Sequence, residues 1–297
     1  MSTLCFGCGY LGERTGVLLG RDGERVFGTV RSAARAAEIA ARGIEPVIAD
    51  VLNRDSLRNL PTATRVFYSV GFDRSAGASM RSVYVDGLLN VLEGLSSTLS
   101  RFVYASSTGV YGQTEGEWVD PETRPDPRTE SGKICLEAEE RLSEWARKRD
   151  GRTSVVVLRF AGLYGPGRVV RSSLIARGVP IPGDPSKLLN LIHIDDAARA
   201  AVAALAIPKP DAMYLVSDDR PVTRLEYYSM VASLLGAPEP RFVVPEAGSL
   251  DMGRDATSKR IANHRTKTGL GLELAYPDIT TGLPAALGDQ STGAGST

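Results

Sequence analysis

The sequence predicts an α/β fold, a doubly wound parallel sheet with a smaller C-terminal substrate-binding lobe. Three observations carry the prediction. Short β-branched runs alternate with stretches of helical periodicity. The first run ends in Gly7-Cys8-Gly9-Tyr10-Leu11-Gly12. After Tyr164 the alternation breaks, and Gly165, Pro166, Gly167, Pro180, Pro182, Gly183 and Pro185 punctuate the chain.

Strands are expected at 3–7, 25–30, 46–49, 65–70, 101–105 and 153–160, with helices between them at 11–19, 32–42, 80–95 and 129–149. In the last helix Ile134, Ala138, Leu142 and Trp145 share one face. Right-handed crossovers then wind the sheet both ways and put ligands beyond the carboxyl ends of the strands. An alanine-rich helix follows Asp195, a strand returns near 213–216, and Thr223 with Glu226 makes a capping box for a helix ending at Leu235. The division expected is a dinucleotide domain over 1–165, with 188–216 returning to it, and a lobe from 166–187 and 217–287. The lobe segments are expected to roof the cleft without a core of their own. Residues 288–297, polar and glycine-rich, read as a disordered tail.

Composition narrows the function. With 35 basic and 35 acidic residues the chain has no net field to draw it onto nucleic acid. No apolar run approaches the roughly 18 residues of a membrane span, and the first strand starts too early for a signal peptide, so a cytoplasmic protein is expected. Cys5 and Cys8 have the spacing of a redox or zinc pair, but no second Cys or His pair is near to complete a site. They read as small buried hydrophobes, and no metal is expected.

Gly7, Gly9 and Gly12, at a strand-to-helix turn, are the residues a Rossmann-like dinucleotide site needs: a turn without side chains, a backbone the diphosphate can approach, and helix amides aimed at the anion. Tyr10 and Leu11 belong to the same turn. Past the second strand the chain reads Gly28-Thr29-Val30-Arg31-Ser32, with Arg35 one turn on. An acid there bonds the ribose of NAD, whereas basic residues hold the extra phosphate of NADP. No acid is present, so NADP is expected over NAD, held by Arg31, Ser32 and Arg35. Asp50 and Val51, after the third strand, are placed at the adenine edge, and Ser69, Val70 and Gly71 end the fourth strand beside the glycines.

Three further stretches resemble the NAD-dependent epimerase/dehydratase family, the extended and atypical branch of the short-chain dehydrogenase/reductases, over nearly the whole chain. They are 101–112 with Ser106-Ser107-Thr108, 158–167 with Leu158-Arg159-Phe160-Ala161-Gly162-Leu163-Tyr164, and 190–196 with His193-Ile194-Asp195-Asp196. The resemblance implies a catalytic serine at Ser107, with Ser106 beside the cofactor and Thr108 able to bond a substrate carbonyl. It also implies a tyrosine four residues before a lysine, sharing one helix face, with the lysine holding the nicotinamide ribose. Set on Lys133, that pattern puts Thr129 where the tyrosine belongs, and an aliphatic hydroxyl is a far weaker acid than a phenol of pKa about 10. Tyr84, Tyr111 and Tyr164 are candidate replacements, each with ordinary packing as the alternative. His193 reads as structural beside Asp195 and Asp196.

The function implied is NADP(H)-dependent oxidoreduction of a carbonyl, imine or alcohol in a small molecule, or nucleotide-sugar epimerase/dehydratase-like chemistry. A non-enzymatic NADP(H)-binding sensor is the alternative, since Thr129 removes the acid. The resemblance further implies a homodimer through helices 80–95 and 129–149.

Overall fold

The computed structural model describes residues 1–149, 151–244 and 256–288. Its centre is a seven-stranded sheet: β1 (Ser2–Phe6), β2 (Arg25–Val30), β3 (Glu45–Ile48), β4 (Arg65–Tyr68), β5 (Arg101–Ser107), β6 (Ser154–Phe160) and β7 (Met213–Val216). All pairings are parallel, in the order β7-β6-β5-β4-β1-β2-β3. The order reverses direction between β1 and β4, so the crevice beyond their carboxyl ends is the ligand position.

Both faces of the sheet are apolar because alternate residues project to opposite sides. Leu4, Phe6, Val66, Tyr68, Phe102 and Tyr104 face one way, onto helices α3 (Gly87–Gly94) and α4 (Glu130–Arg147). Across this face Tyr68 lies 5.8 Å from Phe6, 6.1 Å from Phe102 and 5.7 Å from Tyr104, centroid to centroid. Cys5, Val26, Phe67, Val103, Val156 and Leu158 face the other way, onto α1 (Gly12–Arg21) and α6 (Ile194–Ala206). Helix α2 (Ala33–Ala40) packs its Ala36 and Ile39 into that second layer.

The expected helix at 80–95 is interrupted. Residues Ser82–Asp86 form a π turn before the α-helical ladder resumes at Gly87. Such turns re-aim side chains and recur at functional sites; this one contains Tyr84.

The lobe departs from expectation in two ways. Short helix α5 (Ser172–Ala176), α7 (Arg224–Leu235) and α9 (Ile279–Gly288) build a buried cluster of their own with Ile175, Ile181, Val222, Tyr227, Val231 and Leu283. Helix α8 (His264–Leu270) instead returns to the large domain, where Leu270 and Leu272 join the core under α6. The capping box is present in part, with the Thr223 hydroxyl accepting from the Glu226 amide at 3.1 Å. Gly288 closes α9, and the rest of the expected tail, 289–297, lies outside the described residues.

Candidate active site

A cleft of about 640 Å³ opens beyond the carboxyl ends of β1, β2, β4 and β5. Its floor is the glycine turn. The Gly7 amide donates to the Thr29 hydroxyl at 3.0 Å and the Cys8 amide to the Thr29 carbonyl at 3.1 Å, so β2 holds the turn in place. Gly7 has φ +79°, and a Cβ there would stand 2.7 Å from Val70 Cα. At Gly12 a Cβ would stand 2.3 Å from the Gly7 carbonyl oxygen. Both positions therefore require glycine for the turn itself. Gly9 differs: it is exposed, and a Cβ there meets no atom within 4 Å, so the space over Gly9 is the cleft. Helix α1 begins behind it at Leu11 with no side-chain cap, leaving its first amides and its dipole for an anion. Open backbone over Gly9, an uncapped helix and arginines at one end fit a dinucleotide diphosphate.

At the far end from β5, Arg31, Arg35, Asp50 and Val51 line the cleft. Arg31 reaches Asp73 across it, Nη2 to Oδ2 3.1 Å. Arg35 is bound by Glu13 and Glu38 and donates to the Cys8 carbonyl at 3.2 Å. Ser32 does not face the cleft; it caps α2, accepting from the Arg35 amide at 3.3 Å. Asp50 accepts from the Leu52 amide at 2.9 Å and so shapes the turn under the cleft. Ser69, Val70 and Gly71 form the wall beside the glycines, where the Ser69 hydroxyl donates to Gly7 O at 3.2 Å. Tyr10 lines the cleft and donates to Pro166 O at 3.2 Å, with the Arg168 guanidinium 5.3 Å from its ring centre. Leu11 is part of the same wall.

At the other end the cleft passes Ser106, Ser107 and Tyr84 to a smaller cavity of about 180 Å³. Ser107 accepts from the Gly109 amide at 3.0 Å and faces both spaces. Ser106 donates to Glu139 at 2.5 Å, Glu139 is paired in the interior with Arg159, and Arg159 donates to the Tyr111 hydroxyl at 2.5 Å. Tyr84 lines both spaces, and its hydroxyl accepts from the Phe72 amide at 3.3 Å. Burial raises its pKa above the ordinary phenol value, the Phe72 amide acting the other way.

The α4 residues facing Ser107 are not those the family resemblance implied. Thr129 is the N-cap of α4, accepting from the Gly132 amide at 3.1 Å, and Lys133 is exposed. Neither lines a cavity. The residues four apart that line the small cavity are Ser131 and Cys135. Two residues turn a helix by about 200°, enough to move a side chain from one face to the opposite one. Gly132 fixes the register, since a Cβ there would lie 2.3 Å from the Gly109 carbonyl oxygen. Burial pushes the Cys135 thiol up to about 12, with Glu139 adding to the effect.

Other candidates lie away from the cleft. Thr108 is buried in the turn after β5. Tyr111 is buried, its hydroxyl held by Arg159. Tyr164 is buried in the lobe core, its hydroxyl 3.5 Å from Asp278 O, and lines neither cavity. His193 caps α6, its ring edge-on to Tyr164 and tilted against Tyr276, where burial lowers its pKa. Cys5 and Cys8 are buried free thiols raised by burial. Ser131, Cys135, Asp73 and the Glu139–Arg159 pair were not singled out as site residues by sequence reasoning; Gly132, unexplained inside a helix, was the available signal for the register.

Residues 7–215 match the NAD dependent epimerase/dehydratase family. The chain belongs to that family. Relatives agree with it. Protein YeeZ of Escherichia coli is 30% identical over 280 residues, covering 92% of this chain and 95% of that one. A 3-diazoavenalumate denitrifying reductase of Streptomyces is 26% identical over 285 residues, covering 88% and 91%. In fold, the chain superposes on the UDP-glucose 4-epimerase of Thermus thermophilus complexed with NAD, with a TM-score of 0.79 at 21% identity, covering 99% and 100%. Family membership makes this a Rossmann-fold, NAD(P)-binding chain of the short-chain dehydrogenase/reductase type, among oxidoreductases and epimerases. Among the described residues no helix is long and apolar enough to cross a membrane.

Proposed function

We propose that the chain is an NADP(H)-dependent oxidoreductase acting on a carbonyl, imine or alcohol carbon of a small molecule. The observation that carries the reading is the continuous path from the uncapped start of α1, over Gly9, to Ser107 and the small cavity. Bound nicotinamide nucleotide supplies or accepts the hydride. The chain's own residues do the rest. The turn at Gly7, Gly9 and Gly12 seats the diphosphate, Arg31 takes the 2′-phosphate, and Ser107 bonds the substrate heteroatom. Tyr84, aimed into both spaces by the π turn, is the phenol placed to exchange a proton there. Nucleotide-sugar chemistry is less well supported, because it leans on the absent tyrosine.

A second reading, a sensor that binds NADP(H) without turnover, is favoured by Ser131 and Cys135 standing on the face opposite Ser107. The proposal places the protein in the cytoplasm, as a homodimer pairing through α3 and α4. Calorimetric titration with NADPH and NADH tests the cofactor assignment: NADPH is expected to bind about tenfold more tightly, a difference of about 1.4 kcal/mol. Equal affinities would remove Arg31 from its role. Turnover of NADPH with any of a panel of small ketones and imines, or of NADP+ with any of a panel of alcohols, would reject the sensor.

A further inference from the structure

We propose that Arg168 reaches from the lobe to the diphosphate of the bound dinucleotide and clamps it against the glycine turn. This contact rests on the reading above and adds to that site a ligand group from the second lobe. Arg168 lines the cleft with Gly9, Tyr10 and Leu11, the residues at the start of α1. Its guanidinium lies over the Tyr10 ring, 5.3 Å from the ring centre. A guanidinium resting against an aromatic ring keeps its planar fork of N–H donors free, and that fork matches two oxygens of a phosphate.

The chain fixes Arg168 at this place from both directions. The Gly165 amide donates to the Arg168 carbonyl at 3.2 Å and the Arg168 amide to the Gly165 carbonyl at 2.9 Å, closing a tight turn around Pro166 and Gly167. Tyr10 donates its hydroxyl to Pro166 O at 3.2 Å. The turn is pressed onto it, since a Cβ on Gly165 would stand 2.8 Å from the Tyr10 hydroxyl oxygen and 2.5 Å from Ile194. The next residue, Val169, enters the buried core of the lobe. The backbone of Arg168 is therefore held between the glycine turn and the lobe, which leaves its side chain over the start of α1.

Charge pairing separates Arg168 from its neighbours. Of the three arginines that line the cleft among the described residues, Arg31 is paired with Asp73, and Arg35 with Glu13 and Glu38. Arg14, also against Tyr10 at 4.4 Å, is paired with Asp195. Arg168 is exposed and has no carboxylate partner among the described residues. A diphosphate over Gly9 brings two negative charges beside it. The start of α1 meets them with backbone amides and a dipole equivalent to about half a charge. The full positive charge of Arg168 supplies most of what remains.

Calorimetric titration of the wild-type protein, Arg168→Gln and Arg168→Lys tests the clamp, with melting temperatures as the check on folding. The ligands are NADP, NAD and ADP-ribose, which all carry the diphosphate, and adenosine 2′-phosphate, which does not and is measured by competition against NADP. Arg168→Gln is expected to weaken NADP, NAD and ADP-ribose alike by about tenfold, the loss of one charge-assisted phosphate contact. Arg168→Lys, which keeps the charge without the fork, is expected to weaken them by about threefold. Adenosine 2′-phosphate is expected to bind the variants as it binds the wild type. Unchanged affinity for NADP, NAD and ADP-ribose, in either variant that folds, overturns the clamp and leaves Arg168 to an anionic group on the substrate. A loss confined to NADP and NAD also overturns it, by placing Arg168 at the nicotinamide, and an equal loss for adenosine 2′-phosphate overturns it as an effect of overall charge. Failure of the wild-type protein to bind NADP or NAD overturns the reading beneath it.

Discussion

Arg31 and Asp73 meet across the mouth of the cleft, guanidinium to carboxylate at 3.1 Å. If Arg31 takes a 2′-phosphate, as proposed, Asp73 competes with that phosphate for the same cation. Asp73→Asn is expected to tighten NADP binding about threefold to tenfold and leave NAD unchanged, while Arg31→Gln weakens NADP by a similar factor. Calorimetry on both variants with both nucleotides checks it. A parallel change in NAD affinity would mean that the loop, and not the charge, had been altered.

Two glycines of the turn should separate binding from folding. Gly9 has open space where a side chain would go, so Gly9→Val is expected to keep the melting temperature near that of the parent while losing nucleotide affinity by more than about tenfold. Gly12→Ala would drive a methyl group to 2.3 Å from the Gly7 carbonyl oxygen, so it is expected to lower the melting temperature as well. Thermal unfolding alongside titration distinguishes the two.

Glu139 and Arg159 form an interior ion pair, each side chain 8% exposed. Removing one partner strands the other's charge. Glu139→Ala is expected to destabilise the fold by about 3–5 kcal/mol, measured by denaturant unfolding. Replacing both residues with apolar ones of similar volume should cost much less. A loss below about 1 kcal/mol for the single change would show that Arg159 finds water or another acceptor.

Asp218, just past β7, is buried, and burial first, then Asp278 and Asp219, raise its carboxyl to about 8. The folded state then holds a proton that the unfolded state releases near pH 4. Its contribution to stability is complete below about pH 4 and is lost as the pH climbs towards about 8. Asp218→Asn should therefore have little effect on stability near pH 4 and be stabilising near pH 8, read from unfolding curves across that range. A stability difference independent of pH would contradict the buried protonated carboxyl.

Much of the fold was legible in the sequence because parallel strands buried on both faces read as unbroken apolar runs, and each central strand was anticipated within a few residues. The glycine turn was legible for the same kind of reason: only a strand-to-helix turn that must admit backbone and ligand together requires Gly7 and Gly12. The reactive end was less so. Spacing alone makes Thr129 with Lys133 and Ser131 with Cys135 equivalent, each pair one helical turn apart. What distinguishes them is the contact of Gly132 with the turn at Gly109, a tertiary fact. Asp73 was hidden similarly, lying 42 residues from Arg31 in a loop with no pattern of its own. The lobe core was underestimated because its apolar residues come from short separated segments, Ile175, Ile181, Val222 and Leu283 among them, none long enough to show a period.

The measurement that tests the account most directly is a crystal structure of the protein grown with NADP. The account predicts diphosphate density over Gly9 at the start of α1, the 2′-phosphate on Arg31 with the Asp73 contact opened, and the nicotinamide between Tyr84 and Ser107 at the mouth of the small cavity. Nucleotide bound anywhere else, or a cleft that stays closed by Arg31 and Asp73 at saturating NADP, would contradict it.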